Sequence, residues 1–200
     1  MSTIIVSEIH EFDEPSKIII CEDGSTKRYD NIEIKIEIYE ARVKKWFLDI
    51  AKEQVTGKIE SRMPTGDYVS VMIALSHIEG IEKFQCGGET ERSAATFKKS
   101  AKRIFQNEIS SDAESTIKRL YDETRCGLFH SGFPDGKIYL SYKHDLPIHT
   151  EDEKIFINPL KFIERITEDF DSYIAELKNP ANEDKRTKFE FLWDKLWNQS

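Results

Sequence analysis

The stretch Arg125-Cys126-Gly127-Leu128-Phe129-His130 sets a guanidinium and an imidazole close together, with four residues between them. Arginine is permanently cationic, and its planar fork matches phosphate oxygens. Histidine exchanges protons near neutral pH. Together they form a minimal kit for RNA cleavage without a metal: one group moves protons while the other stabilises charge on the phosphate oxygens. Spacing limits the idea. On an ideal helix the two positions lie about 140° apart and do not share a face. Arg125 borders an apolar stripe that includes Tyr121 and Leu128, and His130 lies nearly opposite it. Convergence needs a helix that ends or distorts near Gly127, or a meeting across a subunit interface. The plainer alternative is an Arg125 ion pair inside a helical bundle, with His130 at a helix C-terminus, where an imidazolium favours the dipole.

Glu79 is a second candidate. On a helix it falls about 40° from Leu75, on an arc otherwise apolar. Carboxylates are rarely buried unless paired. Glu79 either orients Arg125 or His130, or makes a structural salt bridge, or reaches solvent at the edge. Its place on the arc predicts that it lies near Arg125. The basic residues Lys98, Lys99, Lys102, Arg103, Lys118 and Arg119 form either a local track for RNA phosphates or ordinary surface. Lys98, Lys102, Arg103 and Arg119 are the candidate substrate contacts.

Other chemistries find little footing. The histidines His10, His77, His130, His144 and His149 show no helical zinc spacing and no His-Glu-x-x-His. His144 and His149 share a loop with Asp145, which reads as solvated rather than metal-binding. The glycines lack a phosphate-loop pattern, and no Gly-x-Ser-x-Gly elbow occurs. No metal or cofactor is expected.

The elements that must position these groups belong to a chain of 200 residues, a length for one domain with at most a small appended piece. With 29 basic against 37 acidic residues the net charge is −8. An RNA site must therefore be a local basic focus on an acidic body. Cys21, Cys86 and Cys126 are widely spaced and read as reduced thiols. No apolar run nears the roughly 20 residues of a membrane helix, and the start carries no basic signal-peptide region. The expectation is a cytoplasmic protein with no membrane association.

Residues 3–30 read as a small β-hairpin or meander, with Ile4-Ile5-Val6 and Lys17–Cys21 as strands and Asp23-Gly24 as a turn. Ile32, Ile34, Ile36 and Ile38 alternate as in a strand, whereas the spacing from Tyr39 onward is helical. Strand-into-helix and one long helix both remain open for residues 31–38. Residues 57–66 form a break, with Thr65 as a helix-start candidate. A central helix over 67–85 is apolar over most of its circumference and ends at Cys86-Gly87-Gly88. A basic, weakly amphipathic helix is expected over 91–105.

Ser110-Ser111-Asp112 starts the next helix, with Ile117, Leu120, Tyr121, Thr124 and Leu128 on one stripe. Lys137–Tyr142 and Lys154–Ile157 read as strands that pair in a short β-hairpin. Asn158-Pro159 starts an amphipathic helix carrying Ile163, Ile166, Phe170, Tyr173, Ile174 and Leu177. Glu183–Arg186 is a solvated face or a linker, before a last short helix with Phe189, Leu192, Trp193 and Leu196 on one face. The predicted architecture is mainly α, a helical bundle with small strand elements. Its segments are residues 1–30, 31–178 and 179–200.

The Arg125–His130 stretch resembles the R-x4-6-H motif of HEPN domains, a superfamily of helical-bundle proteins many of which are RNases. The wording Gly-Leu-Phe-His-Ser-Gly at a helix end, the earlier apolar helix and the later amphipathic helix agree with it. The resemblance implies a HEPN-like helical bundle and a symmetric homodimer whose motif helices share one cleft. It implies metal-independent cleavage of RNA by attack of the ribose 2′-hydroxyl on the neighbouring phosphorus. An acidic or polar residue from another helix often joins such sites, a part Glu79 would fill. Many members belong to prokaryotic toxin–antitoxin or antiviral defence systems, with a regulatory or antitoxin protein as partner. Others are non-catalytic binding modules. Active members often carry a polar residue, commonly Asn, directly after the Arg, and Cys126 stands there in this chain.

Overall fold

The computed structural model describes residues 3–56, 66–88, 92–109, 112–134 and 136–197. It is mainly helical, with a four-stranded and a three-stranded sheet. The chain begins with β1 (Thr3–Ser7), β2 (His10–Asp13), β3 (Ile18–Cys21) and β4 (Thr26–Arg28). These pair antiparallel in chain order, with Ile4 opposite Phe12 and Phe12 opposite Ile19. Val6, Phe12 and Ile19 face the core, while Ile4 and Ile5 are exposed.

The open question at residues 31–38 resolves as helix: α1 spans Ile32–Val43. The Asn31 side chain caps it, accepting from the Ile34 backbone N–H at 3.1 Å. The alternation of isoleucines misleads because α1 is enclosed on several sides. Ile34, Ile36 and Ile38 are all buried, and so is Lys35 between them. Lys35 Nζ lies 2.8 Å from both Glu190 and Asp194.

A π-helical turn at Lys44–Leu48 leads into α2 (Asp49–Thr56). The break expected at 57–66, with Thr65, falls almost wholly outside the described residues. The central helix α3 (Asp67–Gln85) has the expected bounds, and Val71, Ala74, Leu75, Ile78 and Ile81 on it are fully buried. It stops where Gly87 and Gly88 turn left-handed, at φ 68° and 77°. A Cβ on Gly88 would sit 2.8 Å from Leu192 Cδ1.

Next comes α4 (Ser93–Phe105); Glu91, the expected first residue, lies outside the described residues. It is not weakly amphipathic: Phe97, Ser100, Ala101, Ile104 and Phe105 form a clean buried stripe. The small Ser100 and Ala101 hide that stripe from a count of large apolar residues. Of the cluster Ser110-Ser111-Asp112, only Asp112 is described, and it caps α5 (Ala113–Arg119) by accepting from two backbone N–H groups. A second π-helical segment, Leu120–Arg125, runs into α6 (Cys126–Ser131), closed by Gly132 at φ 75°.

β5 (Ile138–Leu140), β6 (Ile148–Glu151) and β7 (Lys154–Ile157) form the second sheet in the order β5-β7-β6. The hairpin expected between the first and last of these is corrected. β5 and β7 do pair, but in parallel, and the hairpin partner of β7 is β6. Its tight turn uses Asp152 and Glu153, both left-handed at φ 47° and 61°. Such turns usually carry Asn-Gly or Asp-Gly, so a run of three acids reads as an open loop.

Asn158 and Pro159 start α7 (Pro159–Lys178) as expected, and its apolar stripe packs on α3 and α4, with Phe105 of α4 stacked on Phe162 at 4.8 Å. The linker after it is shorter than expected, because Glu183–Arg186 form the first turn of α8 (Glu183–Trp197). Phe189 is fully buried against Tyr39 and Phe84, and Trp197 meets Phe12 and Tyr29. The three segments thus share one core. No helix among the described residues is long and apolar enough to cross a membrane.

Candidate active site

Arg125 closes the π-helical segment, and α3 runs beside it. A π turn places one more residue in the turn and rotates the residues after it by roughly 100° relative to unbroken α-helix. Arg125 is turned toward the body, with only 23% of its side chain exposed. Its Nη2 donates to Glu79 Oε2 at 3.1 Å. Glu79, exposed by 7%, is approached by two further side chains, Ser93 and Lys83. Ser93 Oγ, at the start of α4, donates to its other oxygen at 2.5 Å. Tyr121 donates to Ser93 at 3.4 Å, and Lys83 Nζ lies 3.7 Å from the carboxylate. The expected proximity of Glu79 and Arg125 is thus found, and the pair ties α3 to the end of the π segment.

Two rings flank the guanidinium: the Arg125 Cζ lies 4.9 Å from the Phe129 centroid and 5.7 Å from that of Tyr121. Arg125 Nε is buried and has no hydrogen-bond partner. The site is therefore a partly desolvated cation held by one carboxylate, with donor capacity left over.

His130 is exposed in the last turn of α6. The helix runs unbroken through Gly127 to Ser131, and the π distortion ends at Arg125, before the stretch that separates the two groups. Among the described residues His130 makes no hydrogen bond or ion pair. The two motif groups accordingly diverge within one chain, Arg125 inward and His130 outward. Phe129 and Phe133 flank His130 in sequence and are exposed by 43% and 73%.

The basic candidates separate into two groups. Arg103 is committed to Glu82 and to Asp169, the latter through two bonds of 3.0 and 2.8 Å. Arg119 grips Glu123 with two nitrogens at 2.6 and 2.8 Å and also reaches the Glu153 carbonyl. Lys99 pairs with Glu82, and Lys118 with Asp122. Lys98 and Lys102, one turn apart on α4, pair with no carboxylate among the described residues.

Glu82, one turn along from Glu79, was not legible as special. It is 2% exposed. Burial would raise its carboxyl, but contacts with Lys99, Cys86 and Arg103 outweigh it and hold the group below the usual carboxylate range. Ser93 likewise carried no signal, because its partner Glu79 lies far off in sequence. Phe129 could have been found: a ring four residues from an arginine on a helix reaches it.

His144 and His149 stack face to face, 3.9 Å apart, beside Phe156. Among the described residues no group of three or more His, Cys, Asp or Glu side chains is placed to hold a metal ion. The three cysteines are free thiols. No family model matches the chain, and no characterised protein or solved structure shows significant similarity to it.

Proposed function

We propose that this protein is a HEPN-type endoribonuclease whose site is completed by a second copy of the chain. The observation that carries this reading is the Arg125–Glu79 pair: an arginine at the motif position, half-buried and aimed by a carboxylate from another helix. Glu79 fixes the guanidinium plane, and Arg125 stabilises charge building on the phosphate oxygens.

His130 takes the part of proton-transfer group. It accepts a proton from the ribose 2′-hydroxyl as that oxygen bonds to phosphorus, or donates one to the departing 5′-oxygen as the P–O5′ bond breaks. Arg125 and His130 diverge in one chain, so both tasks meet at one phosphate only if a two-fold axis brings His130 of one copy to Arg125 of the other. The exposed Phe129 and Phe133 beside His130 supply apolar surface for that contact. Lys98 and Lys102 are the cations left for the RNA backbone.

A second reading, a non-catalytic partner-binding or regulatory subunit of a defence or toxin–antitoxin system, is favoured by one observation. Arg103 and Arg119 are neutralised by carboxylates, which leaves little local positive charge on an acidic chain.

Incubation with a mixed RNA pool in the presence of chelator separates the two. The nuclease reading expects cleavage that leaves 2′,3′-cyclic phosphate ends and is lost in Arg125→Lys, since a point charge does not replace a fork. An intact RNA pool combined with capture of a protein partner would favour the binding module.

A further inference from the structure

All three tryptophans of the chain gather round one cation. The guanidinium carbon of Arg42 lies 5.5 Å from the ring centroid of Trp46, 5.9 Å from that of Trp193 and 5.7 Å from that of Trp197. Its Nε donates to the Val6 carbonyl and so ties α1 to β1. That leaves the four N–H groups of the two terminal nitrogens. Among the described residues no carboxylate pairs with Arg42.

Arg42 lines a cavity of about 730 Å³ between the first sheet, α1 and α8. That volume falls within the roughly 300–1,000 Å³ typical of small-molecule pockets. The wall is aromatic, with Phe12, Tyr39, Phe47, Phe84, Trp193 and Trp197 on it. The remaining charged lining residues, Glu14 and Lys17, are exposed and of opposite sign. The charged lining residues sum to one positive charge, and Arg42 is the one of them that is not exposed.

We propose that this cavity binds a small organic monocarboxylate with an aromatic body, its carboxylate on the terminal nitrogens of Arg42 and its ring against the aromatic wall. The fork of an arginine takes a carboxylate bidentately. One negative charge compensates Arg42 fully, whereas a dianion would bury an excess charge. Burial pushes the Arg42 guanidinium below its ordinary value, as expected of a cation desolvated without a counter-ion. None of the lining residues belongs to the Arg125–Glu79 site, so the proposal stands or falls apart from the nuclease reading.

The three tryptophans report binding directly. The full chain is titrated with 4-phenylbutyrate, with 4-phenylbutan-1-ol, which keeps the body without the charge, and with acetate, which keeps the charge without the body. Tryptophan fluorescence and calorimetry are followed together. The expected result is saturable binding of phenylbutyrate, at least about tenfold tighter than either comparator, as a charge-assisted pair inside an apolar wall requires. Arg42→Gln, checked for folding by circular dichroism, should lose that preference while still taking the alcohol. The wild-type comparison stands even if this variant does not fold. Equal binding of the alcohol, equal binding of acetate, or no saturable binding of phenylbutyrate would each overturn the proposal.

Discussion

Arg125 and Glu79, 46 residues apart in the chain, meet at 3.1 Å in a site where the carboxylate is 7% exposed. Each needs the other. A carboxylate on the inner arc of α3 is costly without a cation, and a half-buried guanidinium is costly without an anion. The pair therefore fixes both a helix contact and the orientation of the one arginine in the motif.

Glu79→Ala should destabilise the fold by about 1–2 kcal/mol, less than for a fully buried pair because Arg125 keeps some contact with solvent. Urea denaturation of Glu79→Ala, Arg125→Met and the double variant measures the pair directly. A coupling of about 1 kcal/mol is expected. A coupling near zero would mean that the contact does not hold Arg125 in place.

Much of this site is legible in the sequence, and for specific reasons. α3 announces itself because Val71, Leu75, Ile78 and Ile81 keep helical spacing, and Gly87-Gly88 ends it. Glu79 stands out as the acid on that apolar arc, and Arg125 as the cation bordering another. α1 is not legible. An enclosed helix buries Ile34, Ile36 and Ile38 alike, and that mimics a strand. Glu82, Ser93 and the parallel pairing of β5 with β7 are hidden for another reason: they depend on partners distant in sequence, which no local pattern records.

The protein should be a homodimer at micromolar concentration, joined through α6. Light scattering checks the mass. Phe133→Asp, which places a charge on a side chain 73% exposed, should weaken the dimer at least about tenfold without unfolding the monomer. A strict monomer would leave Arg125 turned inward and His130 outward on one chain, and would contradict a shared cleft.

Stability should fall as the solution is acidified, partly through His77. Its ring lies 4.9 Å from that of Phe47, its Nε2 has no partner, and burial pushes its pKa down to about 4. The ordinary value is 6.5, so the unfolded chain binds the proton more readily. The contribution of a neutral, half-buried His77 is fully present above that value and is lost as the pH falls toward the folded one. Between pH 7 and pH 5.5 the loss should be about 1 kcal/mol. His10 shifts in the same direction, so His77→Phe should remove most of the slope but not all. An unchanged slope in that variant would show that His77 is not the group responsible.

The most direct test of the central claim is the rate of RNA cleavage, with chelator present, by the wild-type protein and by His130→Ala. The expected result is turnover by the wild type and a loss of at least about a hundredfold in the variant, the lower range for a general acid–base group. Undiminished cleavage by a folded, dimeric His130→Ala protein would contradict the claim.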